Sequence, residues 1–255
     1  MFTEQPLIYV TKDDADRIAH WDILQAFSRL SPTQQLYYWQ LSDPLSSSLE
    51  SSVEDIVIAK FDGNSFGLDS GGAIFVRPSR INHSCLPNVE WQWNEASGTF
   101  KLVVIRDIEL GEELTISYVR AAAWRQTGKV RETQLSFPCD CPACQHETPY
   151  ARASDRRRAL MGRLFDDIMH REESNIALTG AQLWQNFYDA MKVKELLEEE
   201  GLLGWELAMS YYIMAGSMSR YGEDESAEYY SDMEQDYYRL FEDKFDHGLA
   251  ELVDH

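Results

Sequence analysis

The sequence predicts an α+β protein, in which a core of short strands is followed by a helical C-terminal region. Short apolar stretches bounded by turn residues dominate positions 55–118, as is typical of strands. From about residue 154, apolar residues recur instead at helical spacing, with clear start and stop signals. We therefore expect two domains, one over 1–150 and a helical one over 151–255.

The first elements are predicted to be helices within 12–42. Three aspartates at 13–16 favour a helix start, because carboxylates complement the helix macrodipole. The following segment RIAHWDILQAFSRL repeats apolar residues at i, i+3 and i+4. Ser31-Pro32 then begins a shorter helix, with proline in its first turn. The Ser-rich segment 43–52 is predicted to be a loop, so that about 12–52 forms a helical insertion.

The strands are predicted from short runs of β-branched and aromatic residues. They lie at 55–60, 73–77, 89–93, 99–106 and 114–118. The segment 94–98, which contains glycine, separates two of them and predicts a hairpin loop. The segment 107–111 predicts another turn, ending at Gly111, where a positive φ is tolerated.

The sequence of the C-terminal region contains recognisable helix-capping residues. Thr179 and Gln182 have the spacing of a capping box, and Gly201 closes the helix that follows. Two further amphipathic segments, WELAMSYYIMAGSMSRYG and ESAEYYSDMEQDYYRLFEDKF, flank Glu223-Asp224. They predict an antiparallel pair of helices.

The formal net charge of −20 limits the classes of partner. Residues 201–255 carry 13 Asp/Glu against 3 Lys/Arg, so half of the excess lies there. Direct nucleic-acid binding is not expected, because phosphate contacts need a basic surface. A basic protein or peptide would be attracted, although a well-solvated acidic surface explains the charge equally. The sequence has no long apolar span and no signal-like start, so we expect an intracellular protein, cytoplasmic or nuclear, without membrane contact.

The four cysteines predict a metal site. Cys139, Cys141 and Cys144 form a C-x-C-x2-C cluster, which in a reducing compartment indicates metal rather than disulfides. A tetrahedral Zn²⁺ site needs a fourth ligand, and Cys85 is the remaining cysteine. His146 as the fourth ligand, or four unrelated buried thiols, are the alternatives. Four protein ligands leave no open position, so the site would be structural.

Three motifs in this order resemble a known family: RINHSCLPN at 80–88, RDIELGEELTISY at 106–118 and FPCDCPAC at 137–144. They are similar to the SET domain of protein lysine methyltransferases, in particular the SMYD-type branch with a post-SET zinc segment. The resemblance covers about residues 5–145. It implies a knotted all-β core of short strands, a helical insertion, a post-SET zinc segment over 137–146 and a C-terminal α-helical domain.

The resemblance also implies the site residues. Asn82 and His83 would line the S-adenosylmethionine pocket, in a segment threaded through a neighbouring loop as a pseudoknot. Tyr118 would be the catalytic tyrosine, and Phe137 would pack beside the adenine of the cofactor. Cys85 would join the other three cysteines on Zn²⁺.

One motif of the family is not seen. SET methyltransferases begin with a Gly-x-Gly hairpin that wraps the methionine end of the cofactor. Here the family pattern begins at TEQPLIYV, no Gly-x-Gly lies upstream, and GLDSGG at 67–72 follows the insertion. Three functions therefore stay open: a protein lysine N-methyltransferase or truncated relative, a SET-derived enzyme that cyclises or isomerises a small molecule in the vacated pocket, and a non-catalytic binding module. The substrate and the oligomeric state are not predicted.

Overall fold

The computed structural model describes residues 2–43, 51–119, 122–145, 148–173 and 177–245. The strands are β1 (Phe2–Glu4), β2 (Ile8–Thr11), β3 (Phe66–Leu68), β4 (Gly71–Ile74), β5 (Asn82–His83), β6 (Val89–Asn94), β7 (Thr99–Val104) and β8 (Thr115–Ile116). The helices are α1 (His20–Ser28), α2 (Pro32–Trp39), α3 (Val53–Asn64), α4 (Gly128–Glu132), α5 (Pro149–Glu172), α6 (Gly180–Glu200), α7 (Trp205–Tyr221) and α8 (Asp224–Phe245). Within these ranges, no helix combines the length and the apolar character that crossing a bilayer requires. The predicted α+β class is confirmed.

The strands of the described residues form small sheets in the orders β1-β7-β6, β2-β4-β3 and β5-β8. The chain divides into two compact units, one of Met1–Asn82 with Trp93–Lys101 and one of His83–Gln92 with Leu102–His255. The predicted division at residue 150 stays a prediction.

The first unit is built on the sheet β2-β4-β3, whose strand pairs are antiparallel. Ile8 lies opposite Ile74 in the register of β2 and β4, and both side chains are buried. The apolar faces of α1, α2 and α3 complete this core with Ile23, Tyr38, Leu41, Val57 and Phe61. The predicted helical insertion therefore packs as a layer against a small sheet.

The predicted strand at 55–60 is wrong, because these residues lie within α3. Ser52 caps this helix, and the side chain of Asp55 accepts a hydrogen bond from the Ser52 backbone in return, which is a capping box. Burial then follows a helical period, at Val57, Lys60 and Phe61. The run IVIA fits a strand as well as a buried helix, and the cap decides between them.

The predicted helix start at residues 13–16 is also wrong, since α1 begins at His20. The carboxylate of Asp13 instead accepts hydrogen bonds from the backbone N–H groups of Ala15 and Arg17. An aspartate that bonds its own downstream backbone favours a turn over a helix. The second predicted helix is confirmed as α2, capped by Ser31 with Pro32 first.

The remaining predicted strands are present, but their first or last residues differ from the prediction. The segment 73–77 is the end of β4 and the residues after it. The segment 89–93 lies within β6, which ends one residue later, and 99–106 and 114–118 contain β7 and β8. Strands β1, β2, β3 and β5 were not predicted. Of the predicted Ser-rich loop, 44–50 lies outside the described residues. Gly98 and Gly111 both have positive φ, in agreement with the predicted turns.

The second unit is mainly helical. The capping box of Thr179 and Gln182 and the left-handed cap at Gly201, with φ of 78°, are present as predicted. Helices α7 and α8 form the predicted pair, separated at Gly222, which is also left-handed. The core lies between α5, α6 and α7 and is lined by Met161, Phe165, Ile168, Phe187, Val193, Leu197, Leu207, Met214 and Met218.

Candidate functional site

The polar segment around residues 84–88 is held by its own side chains in the second unit. The backbone N–H of Ser84 donates to the carbonyl of Ile116 at 2.9 Å, which extends the pairing of β5 with β8. Asn88 is almost fully buried, and its amide donates to the Glu113 carbonyl at 2.8 Å. Its Oδ1 accepts from the N–H of Thr115 at 2.8 Å. These bonds fix the segment against the strand that leads to Tyr118.

The four cysteines come together in this unit. All are buried, and the Sγ atoms of Cys85, Cys139, Cys141 and Cys144 lie within 4.8 Å of one another. The Sγ atoms of Cys85 and Cys144 are 3.5 Å apart. Four thiolates at about 2.3 Å from a tetrahedral Zn²⁺ would be about 3.8 Å apart. The four cysteines therefore form a cluster that can hold a metal ion. His146, the alternative fourth ligand, lies outside the described residues.

Three thiols of the cluster have shifted pKa values, and the shifts differ in direction. Hydrogen bonds from Cys144 and Cys85 lower the pKa of Cys141. The pKa of Cys85 is raised because its proton is held by Cys141 and Cys144. Burial raises the pKa of Cys139 to about 12. The lowered pKa of Cys141 favours its thiolate form, and a cation at the centre of the cluster would favour the thiolate form of all four cysteines.

A buried arginine lies beside the sulfurs. Arg131 of α4 is fully buried, and its Nη2 is 3.3 Å from the Sγ of Cys144 and 3.1 Å from the Ala143 carbonyl. Its Nε has no hydrogen-bond partner among the described residues. A buried cation with a spare donor fits a cluster of thiolates better than a cluster of neutral thiols. This arrangement supports metal binding by a thiolate set.

A second buried arginine, Arg158 of α5, supports the same segment from another side. Its Nη2 donates to the carbonyl of Cys85 at 2.7 Å, and its Nη1 to the carbonyl of Ala123 at 3.0 Å. Its Nε pairs with the buried Glu200 at 3.0 Å. Glu200 also pairs with Arg157 at 2.6 Å. Neither Arg131 nor Arg158 was predicted, because nothing in the sequence around a lone arginine or within the run 156–158 marks which side chain will be buried.

Three partly exposed rings lie next to the cysteine cluster. The ring centroids of His83 and Tyr118 are 5.3 Å apart, and Phe137 lies 6.0 Å from His83 and 6.2 Å from Tyr118. Tyr118 is 46% exposed and Phe137 is 41% exposed, so each ring keeps a face open to a ligand. Asn82, the residue before His83 in β5, is also exposed. The structure thus brings His83, Tyr118 and Phe137 together.

His83 has hydrogen-bond contacts at both ring nitrogens. Its Nδ1 accepts from the backbone N–H of Tyr118 at 3.0 Å, and its Nε2 is 3.3 Å from the Sγ of Cys85. Burial lowers the pKa of His83, which favours the neutral ring. Burial also raises the pKa of Tyr118, so its phenol keeps its proton at neutral pH. Both shifts favour the uncharged forms of the His83 and Tyr118 rings.

Comparison with known proteins identifies the domain. Residues 3–119 match the family described as SET domain. The histone-lysine N-methyltransferase set5 of Schizosaccharomyces pombe is 30% identical over 163 residues, which are 62% of this chain and 47% of that protein. The protein-lysine N-trimethyltransferase SMYD5 of Gallus gallus is 30% identical over 95 residues, or 35% of this chain and 23% of that protein.

A third relative is a putative SET domain-containing protein, L678, of Acanthamoeba polyphaga mimivirus. It is 38% identical over 87 residues, which are 34% of this chain and 33% of that protein. The chain spans less than half the length of the relatives named here. The family match, the three ordered motifs and the mixed fold of small sheets with helices agree, and the chain contains a SET domain over residues 3–119.

Proposed function

We propose that this chain is a protein lysine N-methyltransferase that uses S-adenosylmethionine and contains a structural Zn²⁺ ion. The observation that supports the proposal best is the grouping of His83, Tyr118 and Phe137 beside the four-cysteine cluster. This grouping occurs in a chain whose relatives include proteins named as lysine methyltransferases.

The Zn²⁺ ion would be held by Cys85, Cys139, Cys141 and Cys144. Cys85 is far from the other three in sequence, and a shared metal would tie the segment before β6 to the segment after α4. Because all four positions of a tetrahedral ion would be filled by protein sulfur, the ion stabilises structure and takes no part in chemistry. It would fix Phe137, which lies two residues before Cys139, beside the other two rings.

The cofactor would be held by Asn82, His83 and Phe137. The exposed part of the Phe137 ring offers an apolar surface for a flat heterocycle, and His83 lies beside it with ring centroids 6.0 Å apart. Bound S-adenosylmethionine supplies a methyl group on a positively charged sulfonium. Gly71 and Gly72 of GLDSGG serve packing, since a Cβ at either would overlap neighbouring strand or side-chain atoms. They are therefore not proposed as part of the cofactor site.

Tyr118 would orient the amine that accepts the methyl group. Its phenol stays protonated, because burial and the nearby negative charge of Glu113 raise its pKa. It can donate or accept one hydrogen bond at the amine but is a poor base for an ammonium group, so the substrate amine must lose its proton to water. Alignment of the amine with the methyl carbon then contributes most of the rate.

The substrate would be a basic protein or peptide. The chain carries a net charge of −20, which raises the local concentration of positively charged partners. A lysine in a basic segment is the acceptor that this charge favours.

The proposal is tested by cofactor binding and by methyl transfer. Calorimetric titration with S-adenosylmethionine is expected to show binding, and transfer of a labelled methyl group to basic peptides is expected to require it. Tyr118→Phe is expected to reduce kcat by about 10²-fold with little change in cofactor affinity, because it removes one oriented polar group. Tyr150→Phe is the matched control, since Tyr150 is similarly exposed but lies on α5.

Two results would reject the proposal. Absence of cofactor binding at millimolar concentration would exclude a methyltransferase for this chain. Cofactor binding with equal transfer rates for wild type and Tyr118→Phe would exclude the role given to Tyr118.

A further inference from the structure

His83 joins two parts of the proposed function that are otherwise separate. Its Nε2 contacts the sulfur of Cys85, and its Nδ1 contacts the backbone N–H of Tyr118. We propose that His83 is a positioning residue that makes the placement of Tyr118 depend on the metal state of the cysteine cluster. The inference rests on the proposed function for the bound Zn²⁺ ion and for its consequence in catalysis.

The tautomer of His83 follows from its partners. The backbone N–H of Tyr118, 3.0 Å from Nδ1, can only donate, so the proposed coupling assigns Nδ1 as the unprotonated nitrogen. In a neutral imidazole the other nitrogen then carries the proton. Nε2–H therefore donates to the Sγ of Cys85, at 3.3 Å. The two hydrogen bonds thus run in one direction, from the N–H of Tyr118 to His83 and from the N–H of His83 to Cys85.

The strength of the hydrogen bond from Nε2–H depends on whether the Cys85 sulfur is a metal-bound thiolate or a free thiol. A thiolate bound to metal is a charged acceptor, and hydrogen bonds to charged acceptors are about twice as strong as neutral ones. A free thiol has its own proton and is a weak acceptor. When the metal leaves, the Nε2–H loses its best partner, and the ring is free to turn away from the Tyr118 backbone.

Tyr118 is placed where such a change would matter. It lies two residues beyond the end of β8, where regular strand pairing has stopped. The ring of His83 is also tilted against the Tyr118 ring, with centroids 5.3 Å apart. A rotation of His83 would thus remove both a backbone bond and a side-chain neighbour of Tyr118.

Two substitutions separate the two bonds. Asparagine places an oxygen near the position of Nδ1, so His83→Asn keeps an acceptor for Tyr118 and loses the donor to Cys85. Glutamine places an N–H₂ group near the position of Nε2, so His83→Gln keeps the donor and loses the acceptor. Each variant therefore removes a different one of the two hydrogen bonds of His83.

The test uses the whole chain loaded with Zn²⁺ and labelled with [¹⁵N]tyrosine. The signal missing in Tyr118→Phe assigns the Tyr118 amide. In wild type, removing Zn²⁺ with a chelator under reducing conditions is expected to shift this signal more than the other tyrosine signals. In His83→Asn the shift is expected to vanish, and Zn²⁺ release is expected to be about 10-fold faster, as for other lost outer-shell partners. In His83→Gln, Zn²⁺ release stays near the wild-type rate while the Tyr118 signal is displaced even with metal bound.

Equal shifts of the Tyr118 signal on metal removal in wild type and His83→Asn would overturn the proposal. If either variant fails to fold, as judged by the other tyrosine signals, wild type labelled with [¹⁵N]histidine decides. The metal-loaded chain is expected to show the Nε2–H tautomer of His83, and an Nδ1–H tautomer would overturn the proposal. None of these measurements needs cofactor or methyl transfer, so failure of the coupling and failure of the proposed activity are distinguished.

Discussion

The guanidinium of Arg158 donates a 2.7 Å hydrogen bond to the backbone carbonyl of Cys85, a residue 73 positions earlier in the chain. Through this bond, helix α5 supports the backbone of a cysteine that is proposed to bind metal. The same guanidinium pairs with Glu200 of α6, whose side chain is fully buried. One side chain therefore holds a loop, a helix and a buried carboxylate together.

We expect Arg158→Met to destabilise the second unit by about 3 kcal/mol, because it removes one of the two arginine partners of the buried Glu200 and leaves the carbonyls of Cys85 and Ala123 without their arginine donor. Urea unfolding at neutral pH measures the free energy of unfolding. Arg156→Met is the control on the same helix. Arg156 is exposed, and its substitution is expected to cost at most about 0.5 kcal/mol. Equal costs for the two variants would contradict the role of Arg158.

The sequence could predict the features whose signals are local. The spacing of Cys139, Cys141 and Cys144 restricts them to one turn, and the backbone N–H of Cys144 donates to the carbonyl of Cys141 at 2.8 Å. The cap at Gly201 is equally local, since a left-handed residue after a helix favours glycine. Such features need only neighbouring residues, so their patterns are informative without the fold.

The sequence could not predict features that depend on packing. Arg156, Arg157 and Arg158 are identical in sequence terms, yet only the third is fully buried. The apolar run in α3 fits a strand until its capping box is recognised, and that signal, Ser52 with Asp55, was available. Strand β3, with 3 residues, is too short for its own pattern to stand out. Long-range contacts decide such cases.

Arg131 is expected to strengthen metal binding through its charge. Zn²⁺ with four thiolates has a net negative charge, and the buried guanidinium 3.3 Å from Cys144 offsets part of it. Arg131→Gln is expected to lower Zn²⁺ affinity by about 10- to 100-fold, as is usual for outer-shell partners. Competition with a chromophoric chelator measures the dissociation constant. Lys129→Gln on the same helix is the control, because Lys129 is exposed. If Lys129→Gln weakens Zn²⁺ binding as much as Arg131→Gln, the loss follows from net charge and not from the contact of Arg131 with Cys144.

Gly71 and Gly67 of the first unit offer a test of strand packing. A Cβ at Gly71 would overlap the carbonyl oxygen of Val10 on the paired strand, whereas a Cβ at Gly67 meets nothing within 4 Å. Gly71→Ala is expected to cost about 1–3 kcal/mol, as overpacked sites do, and Gly67→Ala at most about 0.5 kcal/mol. Urea unfolding followed by fluorescence of the chain measures both. A neutral Gly71→Ala would show that β2 and β4 are not as closely paired as described.

The ion pair of Glu172 and Arg220 gives a prediction for pH. Both guanidinium Nη atoms of Arg220 donate to the carboxylate, at 2.8 and 2.5 Å, and these hydrogen bonds lower the pKa of Glu172 below its usual value near 4.5. A group whose pKa is lower in the folded state stabilises the fold above its unfolded pKa, and the contribution is lost as pH falls through the folded pKa. Glu172→Gln is therefore expected to be less stable than wild type at pH 7, with a difference that shrinks below about pH 4.5. Unfolding in urea across this pH range measures the difference, and Glu173→Gln, which changes the adjacent carboxylate at the end of α5, is the matched control. A difference that stays constant from neutral to acid pH would mean that Glu172 contributes through packing rather than through its charge.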